Sequence, residues 1–170
     1  RGLVRFDGVR FERLDLRGRA SPEAPEITAL CEDEAGRLWI GTQKNGLFSA
    51  AASIQREVTP GPADIQSVNA LAVDREQQLW IGTPVGLFRL DLRAPLATPR
   101  AVSGLPDPFV TSIHVARSGM IWITTRTGLY QFRRGRILPV EFSAESLGRS
   151  PEFIGIYEDR RGNLWAFGDT

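Results

Sequence analysis

A chain of 170 residues with 42% hydrophobic and 24% charged side chains has the size and balance of one globular domain. Its 21 Lys and Arg against 20 Asp and Glu leave a net charge of +1, which excludes a broad basic field for nucleic acid and an acidic tail. A single Cys (Cys31) excludes an internal disulfide, a single His (His114) argues against a Cys/His metal site, and no apolar run approaches the roughly 18 residues of a membrane helix.

The chain opens Arg1-Gly2-Leu3, with neither an initiator Met nor a visible signal peptide, and reads as an excerpt of a longer protein. Residues 2–8 match 86–91, so 1–25 are expected to be the second half of a repeat; 9–14 alternate like an edge strand, and 21–25 form a loop with two prolines. The first complete repeat spans about 26–66. It predicts strands over 27–32, 37–42 and 47–50 and a weaker one over 54–58, with a hairpin turn from Asp33 to Gly36. The second, about 67–108, predicts strands over 68–73, around Trp80 and over 87–91, with a turn starting at Asp74; Gln77 stands where the other repeats have Gly. The third, about 109–151, predicts strands over 110–115, around Trp122, over 129–133 and over 137–142, with a turn ending at Gly119. The last segment, 152–170, predicts strands over 153–158 and around Trp165, joined by a turn from Asp159 to Gly162.

All four tryptophans, Trp39, Trp80, Trp122 and Trp165, fall in one recurring phrase, separated by 41, 42 and 43 residues. Four short strands per unit at this period describe a propeller blade. Blades bury both faces against their neighbours, which accounts for apolar residues in succession at Leu38-Trp39-Ile40. Small residues share a column at Ala29, Ala70, Ser112 and Gly155, as expected where inner strands crowd an axis. The expected fold is all-β: a β-propeller segment of about four blades, each of four antiparallel strands, as an arc of a larger ring. The two terminal strand pairs are complementary halves of a blade. Closure into a four-bladed ring, pairing between copies and ragged ends are the three physical outcomes. Four-blade closure demands about 90° between blades against roughly 51° in a ring of seven, and the broad Trp and Phe wedges favour the arc. Self-association through the incomplete terminal blades is therefore expected.

Written out, the repeat is Ile/Val-x-x-Leu-x-x-Asp-x-x-Gly-x-Leu-Trp-Ile-Gly-Thr-x-x-Gly-Leu-Phe. It resembles the two-component regulator propeller repeat, over nearly the whole chain. The third repeat departs from it with Ala116 for Asp and Thr124 for Gly, and the fourth with Phe167-Gly168 for Gly-Thr. The resemblance implies the extracytoplasmic sensor region of a bacterial hybrid histidine kinase or diguanylate cyclase. It further implies rings of about seven blades, a periplasmic location and a parent protein anchored in the inner membrane.

The Trp column is expected to be core between blades, with a sugar-stacking platform as the alternative. The Asp33, Asp74 and Asp159 column, followed by Gly36, Gly119 and Gly162, is expected to shape turns; the neighbouring acids do not alternate as in a calcium loop. His114 is expected to pack within its strand, and Cys31 to be a small buried hydrophobe. Arg133, Arg134, Arg136, Arg160 and Arg161 are expected at solvated turns. No phosphate loop or nucleophile elbow is present, and nothing implies a cofactor or a metal. Loops carry function on rigid scaffolds, so ligand-binding residues are sought at Gln43, Lys44, Asn45, Arg126 and Thr127 between second and third strands. Gln66 and Phe109, at the entries to inner strands, open on the same face, as do Asp64, Asp107 and Pro151. The expected role is a non-enzymatic sensor module for a small molecule or oligosaccharide, with no nucleic acid partner. A propeller lyase or hydrolase and a pure protein-interaction scaffold are the alternatives.

Overall fold

The computed structural model describes residues 3–14, 16, 25–51, 58–60, 65–94, 97–141 and 152–169. These residues form strands β1 (Leu3–Phe6), β2 (Phe11–Leu14), β3 (Ile27–Glu32), β4 (Arg37–Thr42), β5 (Leu47–Ala51), β6 (Val58–Pro60), β7 (Ala70–Val73) and β8 (Gln78–Thr83). There follow β9 (Gly86–Asp91), β10 (Arg100–Val102), β11 (Val110–Val115), β12 (Ile121–Thr125), β13 (Leu129–Arg133), β14 (Arg136–Pro139), β15 (Glu152–Glu158) and β16 (Leu164–Asp169). Every strand pairs antiparallel with its sequence neighbour inside a sheet: β3 to β6, β7 to β10 and β11 to β14 each form a four-stranded meander. The fold is an all-β propeller segment, and the chain divides into two compact units, Arg1–Val68 and Asn69–Thr170.

The first unit holds the β1–β2 sheet and the β3–β6 sheet. Leu16, Ile40, Phe48 and Ala50 are buried together, and Leu3, Leu14, Ile27 and Leu38 pack on them, so the two sheets meet face to face. Their apolar faces are removed from water in the way that drives sheet stacking. The second unit holds the other two meanders and the β15–β16 sheet. Trp80, Leu87, Val110, Ile123 and Tyr130 are among the core between its meanders. Trp80 meets Phe132 edge-on, with ring centres 4.7 Å apart. Leu129, Phe153 and Ile156, with Trp122 and Leu164 against them, seat β15–β16 on the β11–β14 meander.

Close approach between successive repeats explains two motif glycines. A Cβ on Gly41 would lie 2.5 Å from Val68 Cγ1, and one on Gly82 would lie 2.5 Å from Val110 Cγ1. The absent side chain leaves room for the next repeat's entry residue. The pairing register shifts between Ile27 and Ala29, between Val110 and Ser112, and between Phe153 and Gly155. These are β-bulges, each just before the small-residue column. The residue inside the bulge, or its equivalent, ties repeats together: Thr28 Oγ1 donates to the Val68 carbonyl, and Asn69 Nδ2 to the Val110 carbonyl at 2.8 Å.

Several expectations are corrected. The strand expected from Val68 starts at Ala70, because the Val68 amide donates to the Thr42 carbonyl at 2.9 Å instead. The strand expected over 137–142 is Arg136–Pro139, since the two-residue turn Arg134-Gly135 lets pairing resume at Arg136. The first meander's last strand is Val58–Pro60, and residues 54–57 lie outside the described residues. Core burial of the tryptophans holds for Trp39 and Trp80, which are 5% and 1% exposed, and Trp122 is half-buried. Trp165 is 61% exposed, because among the described residues of its unit no sheet covers that face of β15–β16. Cys31 is half-buried rather than enclosed.

Candidate functional site

The turns between second and third strands are pinned by the threonine that ends each tryptophan strand. Thr42 Oγ1 donates to the Gly46 carbonyl at 2.7 Å and accepts from the Asn45 amide at 3.0 Å. Thr83 does the same with Gly86 and Val85, at 2.8 and 3.1 Å. In the third repeat the Thr127 amide donates to Thr125 Oγ1 at 3.2 Å. These hydroxyls satisfy backbone groups that a tight turn would otherwise leave open.

In the first unit this pinning gathers four of the sequence-named residues. The Gly46 amide donates to the Gln66 carbonyl at 2.8 Å, and the Gln43 amide to the Glu26 carbonyl at 3.0 Å. Gly46 has φ 77 and sits against the Ile65 carbonyl, so both its conformation and its missing Cβ are needed. Gln43, Lys44, Asn45 and Gln66 are exposed above this backbone frame. Asp64 lies outside the described residues.

In the second unit Arg126 and Phe109 come together beside the third meander, and Thr127 is exposed in the same turn as Arg126. The Arg126 guanidinium lies 4.5 Å over the Phe109 ring, within cation–π range. It also approaches Asp107 Oδ1 at 3.9 Å. Asp107 is 9% exposed; Oδ1 accepts the Phe109 amide at 3.0 Å, whereas Oδ2 is buried without a hydrogen-bond partner among the described residues. Asp107 is the residue whose weight the sequence understated; Asp-Pro-Phe opening an inner strand was its only signal. Pro151, named with it, lies outside the described residues.

At the opposite ends of the strands, the aspartates that recur at the repeat spacing do two jobs. Oδ1 of Asp33 accepts the amides of Ala35 and Arg37 at 3.0 and 2.9 Å. Asp74 repeats this with Glu76 and Gln78, and Asp159 with Arg161 and Asn163. Oδ2 accepts the indole N–H of the repeat's own tryptophan: Trp39 at 3.0 Å, Trp80 at 2.7 Å and Trp165 at 3.1 Å. Turn shaping was legible in the sequence; the indole bond was not. Donation from the Asn163 amide group and then from the Trp165 indole lowers the Asp159 carboxyl to about 2. Gly36, Gly119 and Gly162 take φ of 73, 85 and 84 at the turn's last position, and Gln77 takes it at φ 57.

His114 Nε2 lies 3.6 Å from Glu158 Oε2 of the next strand pair, without a hydrogen bond, while Glu158 accepts the Arg117 amide at 2.8 Å. Burial, and then the charge of Asp33, raise the Cys31 thiol to about 12, which keeps it protonated. No three His, Cys, Asp or Glu residues are grouped so as to hold a metal ion among the described residues.

Residues 22–44 match the family model of the two component regulator propeller, the family that the tryptophan phrase resembles. No curated protein matches the chain. Among solved structures, the chain is similar to the extracellular domain of BT4673 from B. thetaiotaomicron, described as a one component and as a hybrid two component system. In the first of its structures the TM-score is 0.76 at 19% identity, over 94% of this chain and 22% of that one. It is also similar to the extracellular domain of BT3049 from B. thetaiotaomicron, a hybrid two component system, at TM-score 0.69 and 17% identity, over 97% of this chain and 26% of that one. The gluconolactonase XC5397 from Xanthomonas campestris gives TM-score 0.75 at 17% identity, over 99% of this chain and 62% of that one. The chain thus spans about a fifth of the length of the BT4673 domain. At these identities the likeness establishes the propeller fold.

Proposed function

We propose that this chain is part of the propeller sensor region of a bacterial membrane-bound signalling protein, a hybrid histidine kinase or a diguanylate cyclase. It works on the extracytoplasmic side, in the periplasm, and is not itself an enzyme. The observation that carries this reading is the match of its repeat to the two component regulator propeller, supported by the likeness to two extracellular domains of such systems. The ligand is a small molecule or oligosaccharide held at the loop end of the sheets. Each unit offers its own candidate surface: Gln43, Lys44, Asn45 and Gln66 in the first, and Arg126, Thr127 and Phe109 in the second. The frame beneath these side chains is fastened by backbone and threonine bonds, so little backbone ordering entropy is lost on binding. Signalling requires that the ligand bind the two output states with different affinity.

The likeness to a gluconolactonase keeps one second reading in play, a propeller hydrolase. One experiment separates the two. Purified chain is titrated calorimetrically with a panel of oligosaccharides, and the same panel plus sugar lactones is assayed for turnover. Saturable binding without turnover, weakened about tenfold or more in Arg126→Ala, supports the sensor. Lactone turnover replaces it with the hydrolase.

A further inference from the structure

An open groove of about 410 Å³ lies between the second and third meanders, at the strand ends opposite the loops proposed above. That volume falls within the range of small-molecule sites. Its lining is one-sided in charge. Arg75, Arg89, Arg133 and Arg134 face it against two carboxylates, Asp74 and Glu76. Asp74 is already engaged, with both oxygens accepting N–H groups from Glu76, Gln78 and Trp80. Among the described residues, Arg89, Arg133 and Arg134 have no carboxylate within ion-pair distance; Arg89 lies 5.8 Å over the Trp80 ring instead. The back of the groove is apolar, with Met120, Ile121 and Phe132.

Two further observations concern the backbone that carries these side chains. The Arg75 guanidinium crosses to the Arg117 carbonyl of the next meander, and Arg117 in turn donates to the Arg160 carbonyl at 2.9 Å. The three turns are thereby fastened in sequence. Arg134 occupies the first position of a two-residue hairpin turn with φ 50, followed by Gly135 at φ 78. Such a type I′ turn favours Asn or Gly at that first position, and an Arg there is held against its backbone preference. Strained residues of this kind collect at binding sites.

We infer that this groove binds a small ring compound carrying an oxyanion, with Arg89, Arg133 and Arg134 taking the anionic group and Phe132 and Met120 backing the ring. Guanidinium groups suit this task, since each presents paired donors to a carboxylate or sulfate. The site is separate from the loop-end site and stands or falls without it.

The test is amide NMR mapping on the full chain, titrated with glucuronate, with glucose as the uncharged ring and with inorganic sulfate as the ringless anion. Saturable shifts confined to 74–76, 118–121 and 132–134 with glucuronate, absent with glucose, support the site. They should weaken about tenfold in Arg89→Gln and in Arg134→Asn, the scale of one charge-assisted hydrogen bond. Arg134→Asn suits the turn better than Arg, so loss of binding there does not reflect unfolding. Equal shifts with glucose, shifts with sulfate alone, or shifts spread over exposed arginines such as Arg5 and Arg10 overturn the proposal. So does binding that survives both substitutions. Arg126→Ala should leave these shifts unchanged, which separates failure here from failure at the loop end.

Discussion

A carboxylate that shapes its own turn also holds the largest side chain of its repeat. Asp74 is the clearest case, since Trp80 is 1% exposed and its indole N–H has that one oxygen at 2.7 Å. Asp74→Ala strands a buried donor and unties two turn amides, for an expected loss of about 2–4 kcal/mol in chemical denaturation. Trp80→Ala, which empties the core, should cost about 3–5 kcal/mol, whereas Trp165→Ala should cost about 1 kcal/mol or less because the ring is already in water. The Asp159 carboxyl stands at about 2, below its ordinary value, so its contribution is fully present above about pH 4 and is lost as pH falls through about 2. A carbon-detected titration of Asp159 with a midpoint near 4 would show that the indole and Asn163 bonds do not hold the carboxyl down. With its thiol at about 12, Cys31 should react with a disulfide reagent at pH 8 far more slowly in the folded chain than in denaturant.

At the scale of the strand pair, exceptions to the repeat phrase compensate one another. Gly155 pairs across from Phe167 in the register where Ala29 faces Gly41 and Ala70 faces Gly82. The Phe167 ring occupies the space that a Cβ on Gly155 would need, so the large residue has moved from one column to the other. Each departure is visible in the sequence alone, but their opposition is not, because register is a property of the folded pair. Gln77 is a different exception: it takes φ 57 where the other repeats use Gly, and its side-chain Nε2 is buried without a partner among the described residues. Gln77→Gly should therefore stabilise the chain by about 1 kcal/mol in denaturant titration, and a loss of stability would show that the side chain is doing unseen work. Strands, turns and the repeat period were legible because each is written in local pattern. The bulges, the indole bonds and the Arg126–Phe109–Asp107 cluster were not, since they depend on groups that only the fold brings together.

At the scale of the molecule, one face of the last sheet carries exposed aromatic rings among the described residues. Tyr157, Trp165 and Phe167 are 58%, 61% and 58% exposed, and the Tyr157–Trp165 pair sits directly across the two strands. An apolar patch of this kind, beside a sheet of only two strands among the described residues, favours association. Light scattering should report species above the monomer mass, reduced by the double substitution Trp165→Glu with Phe167→Glu. A monomer at all concentrations for the unsubstituted chain would exclude the patch as an interface.

The aspartate–indole bonds also sort the four tryptophans of the chain into distinct surroundings. Trp39 and Trp80 are buried beside a carboxylate, Trp165 is exposed beside one, and Trp122 is half-buried in the repeat that carries Ala116 in place of the acid. Iodide in solution should quench the emission of Trp165 first and leave a bluer remainder from the sheltered rings. The chain thus carries an optical label for its last repeat, by which occupation of that sheet's open face can be followed without attaching a dye.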